Sequence, residues 1–227
     1  MTIPISIRNW TAILGDCLEE MKKIPDGSID CILTDPPYGM NFRSNYRKER
    51  YDSIKNDDWL EWIDEFIDES YRVLKSDTHA YFFCSWHNVD IFKQSIQRKF
   101  EVKNILIWVK NNTGMGDLFW DYAPKHEFII YARKGKRKLN GRRDCNILEY
   151  KRTGNKLHPT EKPVDLFEFL ISKSTLENQI VFDPFGWSFT TAVAAENTGR
   201  RWICIEKEPK YFEIGINRIQ SITDAQK

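Results

Sequence analysis

The sequence predicts an α/β fold with a mainly parallel, doubly wound sheet, and three observations support this prediction. Short apolar runs of strand length alternate with longer segments of helical periodicity. Several of the runs are apolar throughout, as in strands that helices cover on both faces. Acids follow four of the runs, at the strand ends where doubly wound sheets bind their ligands. A length of 227 residues fits a single domain, 1–227.

The individual elements follow from the positions of these runs. Strands are predicted at 12–14, 29–34, 80–84, 105–109, 128–132, 180–182 and 202–205. Helices are predicted at 17–23, 58–74, 89–98, 164–174, 190–197 and 209–219. Pro163 directly precedes the helix at 164–174, a position that proline favours. The acids that follow strands are Asp16, Asp35, Asp183 and Glu206, and together they predict a rim for a polar ligand.

Composition excludes several classes of protein. The hydrophobic share of 41% and charged share of 30% are those of a soluble globular chain. The five cysteines are scattered without a Cys-x-x-Cys pair, which argues against disulfides and structural zinc and favours a reducing compartment. The histidines lack metal-ligand spacing, so no metal is expected. With no signal pattern and no membrane-spanning run, we expect a cytoplasmic protein without a membrane partner.

Positive charge is concentrated in one segment. Ten of the residues between Arg133 and Lys156 are Lys or Arg, against two acids, although the whole chain has a net charge of only +1. The segment shows no periodicity and is predicted to be a loop. It could present a phosphate-binding face, or it could be an ordinary solvated loop, and composition alone leaves both interpretations open.

The tetrapeptide Asp35-Pro36-Pro37-Tyr38 has a definable chemistry. Two consecutive prolines fix an extended backbone without N–H donors. The Pro36 carbonyl and the Asp35 carboxylate can therefore face outward as acceptors for the two N–H groups of an exocyclic amine. Tyr38 could stack on the ring that carries this amine. The alternative interpretation is a strand-ending turn that happens to contain Pro-Pro.

Other motifs accompany the tetrapeptide in a fixed order. They are Gly15-Asp16, His158-Pro159-Thr160-Glu161-Lys162-Pro163, Asp183-Pro184-Phe185 and the strand that ends at Glu206. In this combination the chain resembles the beta group of DNA amino-methyltransferases, from Gly15 to about Arg218. The resemblance implies a Rossmann-like methyltransferase sheet, circularly permuted so that the catalytic half precedes the cofactor half. It also implies S-adenosylmethionine as cofactor and double-stranded DNA as partner.

The resemblance assigns roles to particular residues. It implies that Asp35, Pro36, Pro37 and Tyr38 are catalytic and orient the target amine. It implies that the cofactor contacts Asp35 and also Asp16, His158, Lys162, Asp183, Pro184, Phe185, Ser188, Thr190 and Glu206. The segment 108–112 resembles one that lines the target-base pocket, with a core strand running into a polar turn as the alternative. The pair His126-Glu127 is also family-like, and no chemistry is assigned to it.

One loop departs from the family pattern. The family reads Asp-Pro-Phe-x-Gly-Ser-Gly-Thr-Thr, and this chain has Trp187 and Phe189 at the two glycine positions. Glycine there permits positive φ and close approach to the ligand. Three explanations remain open: a remodelled loop in a working enzyme, a blocked cofactor site in a DNA-binding relative, or a change that deliberately disables or alters the site.

The expected activity is methylation of an exocyclic amine on a flipped DNA base. Adenine N6 is favoured over cytosine N4, because Asp before Pro-Pro is more typical of adenine enzymes in the family. The basic loop 133–157 is the candidate target-recognition segment, with Arg142, Arg143 and Arg152 as candidate readers of base edges. This segment is short, so we expect a brief recognition site or a second subunit, as in a homodimer. The alternatives are a non-catalytic DNA-binding relative and an enzyme acting on an RNA or protein amine.

Overall fold

A computed structural model describes residues 5–7, 10–38, 62–113, 119–120, 122–154 and 161–225. These residues form a nine-stranded sheet in the order β1-β2-β9-β8-β3-β4-β6-β5-β7. The strands are β1 Ile5–Ile7, β2 Trp10–Leu14, β3 Ile29–Thr34, β4 Leu74–Cys84, β5 Glu101–Val109, β6 His126–Lys134, β7 Ile147–Glu149, β8 Ile180–Asp183 and β9 Arg201–Glu206.

The centre of the sheet is parallel. Strands β2, β9, β8, β3 and β4 pair in parallel in that order, and β6 lies antiparallel to both β4 and β5. The carboxyl ends of β2, β9, β8, β3, β4 and β5 therefore lie at one edge of the sheet, together with the amino end of β6. We name this the carboxyl edge, and the opposite one the amino edge. The four predicted acids all lie at the carboxyl edge.

Helices cover both faces of the sheet. They are α1 Cys17–Met21, α2 Ile63–Val73, α3 Val89–Gln97, α4 Val164–Ser174, α5 Thr190–Asn197 and α6 Pro209–Ala225. One buried apolar cluster joins the sheet to α1, α2 and α3, and a second joins the other face to α4, α5 and α6. Two covered faces explain the uniformly apolar strands, of which β3 is buried over its whole length. The predicted α/β, doubly wound, mainly parallel fold is confirmed.

Several element bounds differ from the prediction. Strand β1 was not predicted. Strand β4 begins at Leu74, and the prediction placed its start at 80 because most of residues 75–79 are polar. Ile29 pairs with Leu74 and Cys31 with His79, so residues 75–78 bulge from the pairing with β3. Thr78 still pairs with Lys134 of β6, and Asp77 has φ 59°. The helix predicted at 58–74 is described from Ile63 onward, and residues 58–61 lie outside the described part.

The basic segment is not the continuous loop that was predicted. Its first two residues, Arg133 and Lys134, complete β6, and Ile147–Glu149 form β7 beside β5. Residues 155–157 lie outside the described part. Among the described helices, none is both long and apolar enough to cross a membrane.

Candidate active site

The tetrapeptide lies at the carboxyl edge, where β3 leaves the sheet between β8 and β4. Asp35, Pro36 and Pro37 are buried, and Tyr38 is half-buried. The Tyr38 hydroxyl donates to Oδ1 of Asp35, and the Lys162 ammonium lies 2.6 Å from Oδ2. Both carboxylate oxygens of Asp35 are therefore engaged by side chains. Burial raises the pKa of Asp35, and the ammonium of Lys162 opposes that rise.

Lys162 belongs to a larger group of charges. Its ammonium lies 3.1 Å from Oε2 of Glu127, and Oε1 of Glu127 lies 2.5 Å from Lys110 Nζ. The Tyr38 hydroxyl also lies 3.3 Å from Oε2 of Glu127. We name Asp35, Tyr38, Lys110, Glu127 and Lys162 the charged cluster. Burial by itself raises the pKa of Glu127, but the ammonium groups of Lys162 and Lys110 outweigh it and hold that pKa below its usual value.

The Asp183 carboxylate accepts hydrogen bonds from three other residues of the chain. The donors are Thr34 Oγ1 at 2.7 Å, Thr191 Oγ1 at 2.5 Å and the Phe185 amide at 3.1 Å. These bonds tie β3, α5 and the loop after β8 together. Burial raises the pKa of Asp183 to about 7. In this structure Asp183 shapes the loop beneath the proposed cofactor site, and its oxygens face the chain's own donors.

Glu206 ends β9 beside the same loop. Its Oε2 accepts from the Trp187 amide at 2.7 Å and its Oε1 from the Glu208 amide at 2.7 Å. Burial raises its pKa to about 7. Asp16 caps α1 by accepting from the Leu18 amide at 3.0 Å, and it pairs with Lys207 at 2.8 Å. Both acids follow strands, as the sequence predicted, and the structure shows that these two strands, β2 and β9, are neighbours.

The substituted loop keeps a glycine-like backbone at the two positions where glycine is replaced. Trp187 has φ 47° and Phe189 has φ 58°, both in the left-handed region. This conformation costs a non-glycine residue about 1–2 kcal/mol. The expectation that these two positions need positive φ is thus confirmed, and the chain meets the need with two aromatic residues.

The Phe189 ring turns into the core instead of toward the ligand edge. It is fully buried and makes edge-on contacts with Phe212 and Trp202, at centroid distances of 5.9 and 6.0 Å. Two glycines make room for it. A Cβ at Gly215 would lie 2.5 Å from Cγ of Phe189, and one at Gly186 would lie 2.7 Å from Cε1. Phe189 is therefore accommodated by matched small residues and does not fill the ligand site.

Trp187 is placed differently. Its ring is half-buried, and its indole Nε1 donates to the main-chain oxygen of Asp35 at 2.8 Å. Its own amide donates to Glu206, so Trp187 joins the end of β9 to the tetrapeptide at the end of β3. Of the two substituted residues, Trp187 is the one that contacts both Glu206 and Asp35.

The remaining predicted cofactor residues are mostly committed to packing or internal bonds. Pro184 is buried, and the Phe185 ring packs on α2 at 5.3 Å from the ring of Phe66. Arg218 donates to the Ser188 carbonyl at 3.0 Å and to Thr190 Oγ1 at 3.2 Å. His158 lies outside the described residues, so its role stays a prediction.

Sequence reasoning missed the chemistry of three charged residues here. Glu127 was noted only as half of a family-like pair, Lys110 only as part of a strand-to-turn segment, and Arg218 only as the approximate end of the family resemblance. A signal existed for Glu127, because a carboxylate at the start of a buried strand is unusual unless it is paired. For Arg218 the nearest signal is its place on the helix face that carries Gly215 and Ile219.

The structure divides the basic segment between the two edges. Lys173, in the last turn of α4, donates to the Arg142 carbonyl at 2.6 Å and pairs with Asp144 at 2.6 Å, at the amino edge. The chain then returns through β7, and the Arg152 amide donates to Asn111 Oδ1 at 2.8 Å at the carboxyl edge. Arg142 and Arg143, two of the predicted readers of base edges, therefore follow β6 at the amino edge, away from the tetrapeptide. Lys151 and Arg152 do lie at its edge.

The sequence model of the N6_N4_Mtase family, described as DNA methylase, matches residues 29–217. The chain belongs to this DNA methylase family. The Escherichia coli K12 protein YubD is 36% identical over 216 residues, covering 95% of this chain and 92% of YubD. DNA adenine methyltransferase YhdJ of the same strain is 29% identical over 248 residues, covering 92% and 82% of the two chains.

Solved structures agree with this assignment. The crystal structure of the M1.HpyAVI–SAM complex superposes with a TM-score of 0.72 at 29% identity, covering 92% of this methylase and 99% of that chain. PvuII DNA methyltransferase, which is cytosine-N4-specific, gives a TM-score of 0.78 at 22% identity, covering 96% and 92%. At that identity the second likeness supports the fold alone. Among the described residues, no three His, Cys, Asp or Glu side chains group as a metal site.

Proposed function

We propose that this DNA methylase transfers a methyl group from S-adenosylmethionine to an exocyclic amine of a flipped base, adenine N6 in the first place. The observation that carries the proposal is the buried Asp35 carboxylate, placed by the family's tetrapeptide at the strand end between β8 and β4. Adenine is favoured by Asp before Pro-Pro and by the likeness to YhdJ, a DNA adenine methyltransferase.

The residues at the carboxyl edge fit this cofactor. Glu206 accepts main-chain N–H groups, from Trp187 and Glu208 among others, and a carboxylate has about four acceptor positions, so it can also accept from a ribose hydroxyl. The Phe189 ring leaves the edge open because it lies in the core. S-adenosylmethionine supplies an electrophilic methyl group when bound. Glu206, Asp16 and the loop after β8 are the residues that would hold it, and the Trp187 indole is the group that would have to move aside.

The chain's own contribution to the reaction is positioning. The target amine would donate to Asp35 and to the Pro36 carbonyl, replacing the Tyr38 hydroxyl that now donates to Asp35. Once released, the Tyr38 ring could stack on the base. A base inside a duplex cannot reach a half-buried residue at a sheet edge, so it must be extruded first. Holding amine and methyl group in line supplies the rate enhancement without a nucleophilic side chain.

DNA would approach the carboxyl edge. Lys151 is exposed there and Arg152 half-buried, and the β5–β6 connection carries highly exposed rings at Phe119, Trp120 and Tyr122. Cations would contact phosphates, and aromatic rings could wedge against unstacked bases. This contact set is small, which favours a brief recognition sequence or a second subunit. Light scattering with and without target DNA measures whether two copies of the chain form a homodimer.

A second candidate function rests on Trp187 alone. Its indole donates to the main-chain oxygen of Asp35, and its amide donates to Glu206, the acid proposed to bind the cofactor ribose. If the bond to Asp35 held the site shut, the chain would bind DNA without methylating it. Cofactor binding separates the two candidates.

The proposed activity is tested by identifying the methylated base. Unmethylated genomic DNA is incubated with the protein and S-adenosylmethionine carrying a labelled methyl group, digested to nucleosides and analysed by mass spectrometry. We expect labelled N6-methyladenine, and none with Asp35→Asn. Labelled N4-methylcytosine would reassign the base, and the absence of label from the DNA nucleosides would refute DNA as the substrate.

A further inference from the structure

Glu127 is a largely buried carboxylate in the charged cluster. It lies at the amino end of β6 with a side chain only 18% exposed, while its partners Lys110 and Lys162 are 16% and 5% exposed. Buried ion pairs are weak contributors to stability, since desolvation offsets most of their attraction. A pair of apolar residues would serve packing as well. The position of these charges beside Asp35 therefore points to a role in the reaction.

Glu127 determines how the charge of Lys162 is shared. The Lys162 ammonium lies 2.6 Å from Asp35 and 3.1 Å from Glu127, so one cation faces two carboxylates. The other oxygen of Glu127 faces Lys110. Two carboxylates and two ammonium groups leave the charged cluster with no net charge. Without Glu127, the cluster would carry a net charge of +1 next to the tetrapeptide.

The sign of that charge matters for methyl transfer. The lone pair of the amine forms the new N–C bond while the S–C bond breaks and leaves its electron pair on sulfur. The nitrogen then carries a positive charge until it releases a proton to water. A net positive cluster beside Asp35 opposes this charge as it develops, whereas a neutral cluster leaves Asp35 able to stabilise it.

We propose that Glu127 is a positioning residue for methyl transfer, which holds Lys162 and Tyr38 in place and offsets the charge of Lys162 beside Asp35. This inference rests on the proposed function, because it names a further residue of the same site. Glu127 acts through Lys162 and Tyr38, which its carboxylate contacts.

Charge compensation tests the proposal. Glu127→Gln should lower the single-turnover rate on the order of 100-fold, as expected for one unit charge a few ångströms from the reacting centre in a partly buried site. Adding Lys110→Met restores a neutral cluster and should recover at least about tenfold of that loss. The exposed Glu213→Gln serves as the matched control and should react like the parent chain. Thermal melts followed by circular dichroism establish that each variant is folded.

A double variant as slow as Glu127→Gln, or slower, would overturn the proposal, because purely structural damage accumulates and is not repaired by removing a second buried group. The parallel readout needs no activity. In carboxyl-labelled protein, NMR titration of Asp35 (assigned with Asp35→Asn) should show a lower pKa in Glu127→Gln and a partial return in the double variant. An unchanged Asp35 pKa would refute the inference even if no methyl transfer occurred, whereas inactivity with the expected pKa changes would count against the proposed function alone.

Discussion

Replacing Phe189 by glycine restores the family residue and should nevertheless destabilise this protein. Removing a fully buried Phe side chain costs about 3–5 kcal/mol. Relief of the left-handed backbone at φ 58° returns about 1–2 kcal/mol. The net loss in the free energy of unfolding should therefore be roughly 1–4 kcal/mol.

Trp187→Gly is the matched control, because it makes the same kind of change two residues away. It too relieves a left-handed backbone by about 1–2 kcal/mol, but it removes one indole hydrogen bond worth about 0.5–1.5 kcal/mol and only a half-buried ring. Its net effect should lie close to zero. Urea unfolding followed by circular dichroism measures both variants.

The fit between Phe189 and Gly215 supplies a second test of the same reasoning. Gly215→Ala should cost about 1–3 kcal/mol in the parent chain, because the new Cβ would meet the Phe189 ring at 2.5 Å. In Phe189→Gly the same change should be neutral or stabilising, by up to about 1 kcal/mol of helix propensity. Equal costs of Gly215→Ala in both backgrounds, or equal stability of Phe189→Gly and the parent, would refute the packing argument.

Two further predictions concern pH and DNA. His79 is fully buried and uncharged, with Nδ1 at 2.8 Å from Ser174 Oγ and Nε2 at 3.1 Å from the Arg137 carbonyl, and burial lowers its pKa to about 4. In the unfolded chain the His79 imidazole takes up a proton near pH 6.5. The folded state is therefore destabilised by about 2–3 kcal/mol between pH 6.5 and 4. Urea unfolding of His79→Gln at each pH should lack this decrease. For DNA, the double variant Lys151→Gln/Arg152→Gln at the carboxyl edge should bind more weakly, and the salt dependence of its binding should fall by about 1–2 phosphate contacts. Arg142→Gln/Arg143→Gln at the amino edge removes the same charge and serves as the control. Fluorescence anisotropy measures both, and equal losses of affinity would contradict the division of the basic segment.

The sequence predicted the fold and the four acids at one edge, because both depend on local patterns. Uniformly apolar strands, an acid after each, and helices between them leave few alternatives for an α/β chain. The need for positive φ at 187 and 189 was also predictable, since it follows from the glycines that relatives carry there.

Other features depend on contacts between distant parts of the chain. The direction of the Phe189 ring is decided by Gly215, which lies one helix further along, and no local pattern links the two. The charged cluster joins β3, β5, β6 and the segment before α4, so Glu127 acquires its partners only on folding. The basic segment looked uniform in composition, yet β7 carries its two halves to opposite edges.

The measurement that tests the account most directly is a calorimetric titration of S-adenosylmethionine into the parent chain and Trp187→Gly, at concentrations that detect millimolar binding. We expect saturable binding to the parent chain, and binding about fivefold tighter in Trp187→Gly, because one hydrogen bond of about 1 kcal/mol no longer has to be broken. No detectable binding to the parent, with DNA binding retained, would contradict the account and make this chain a DNA-binding relative closed by Trp187.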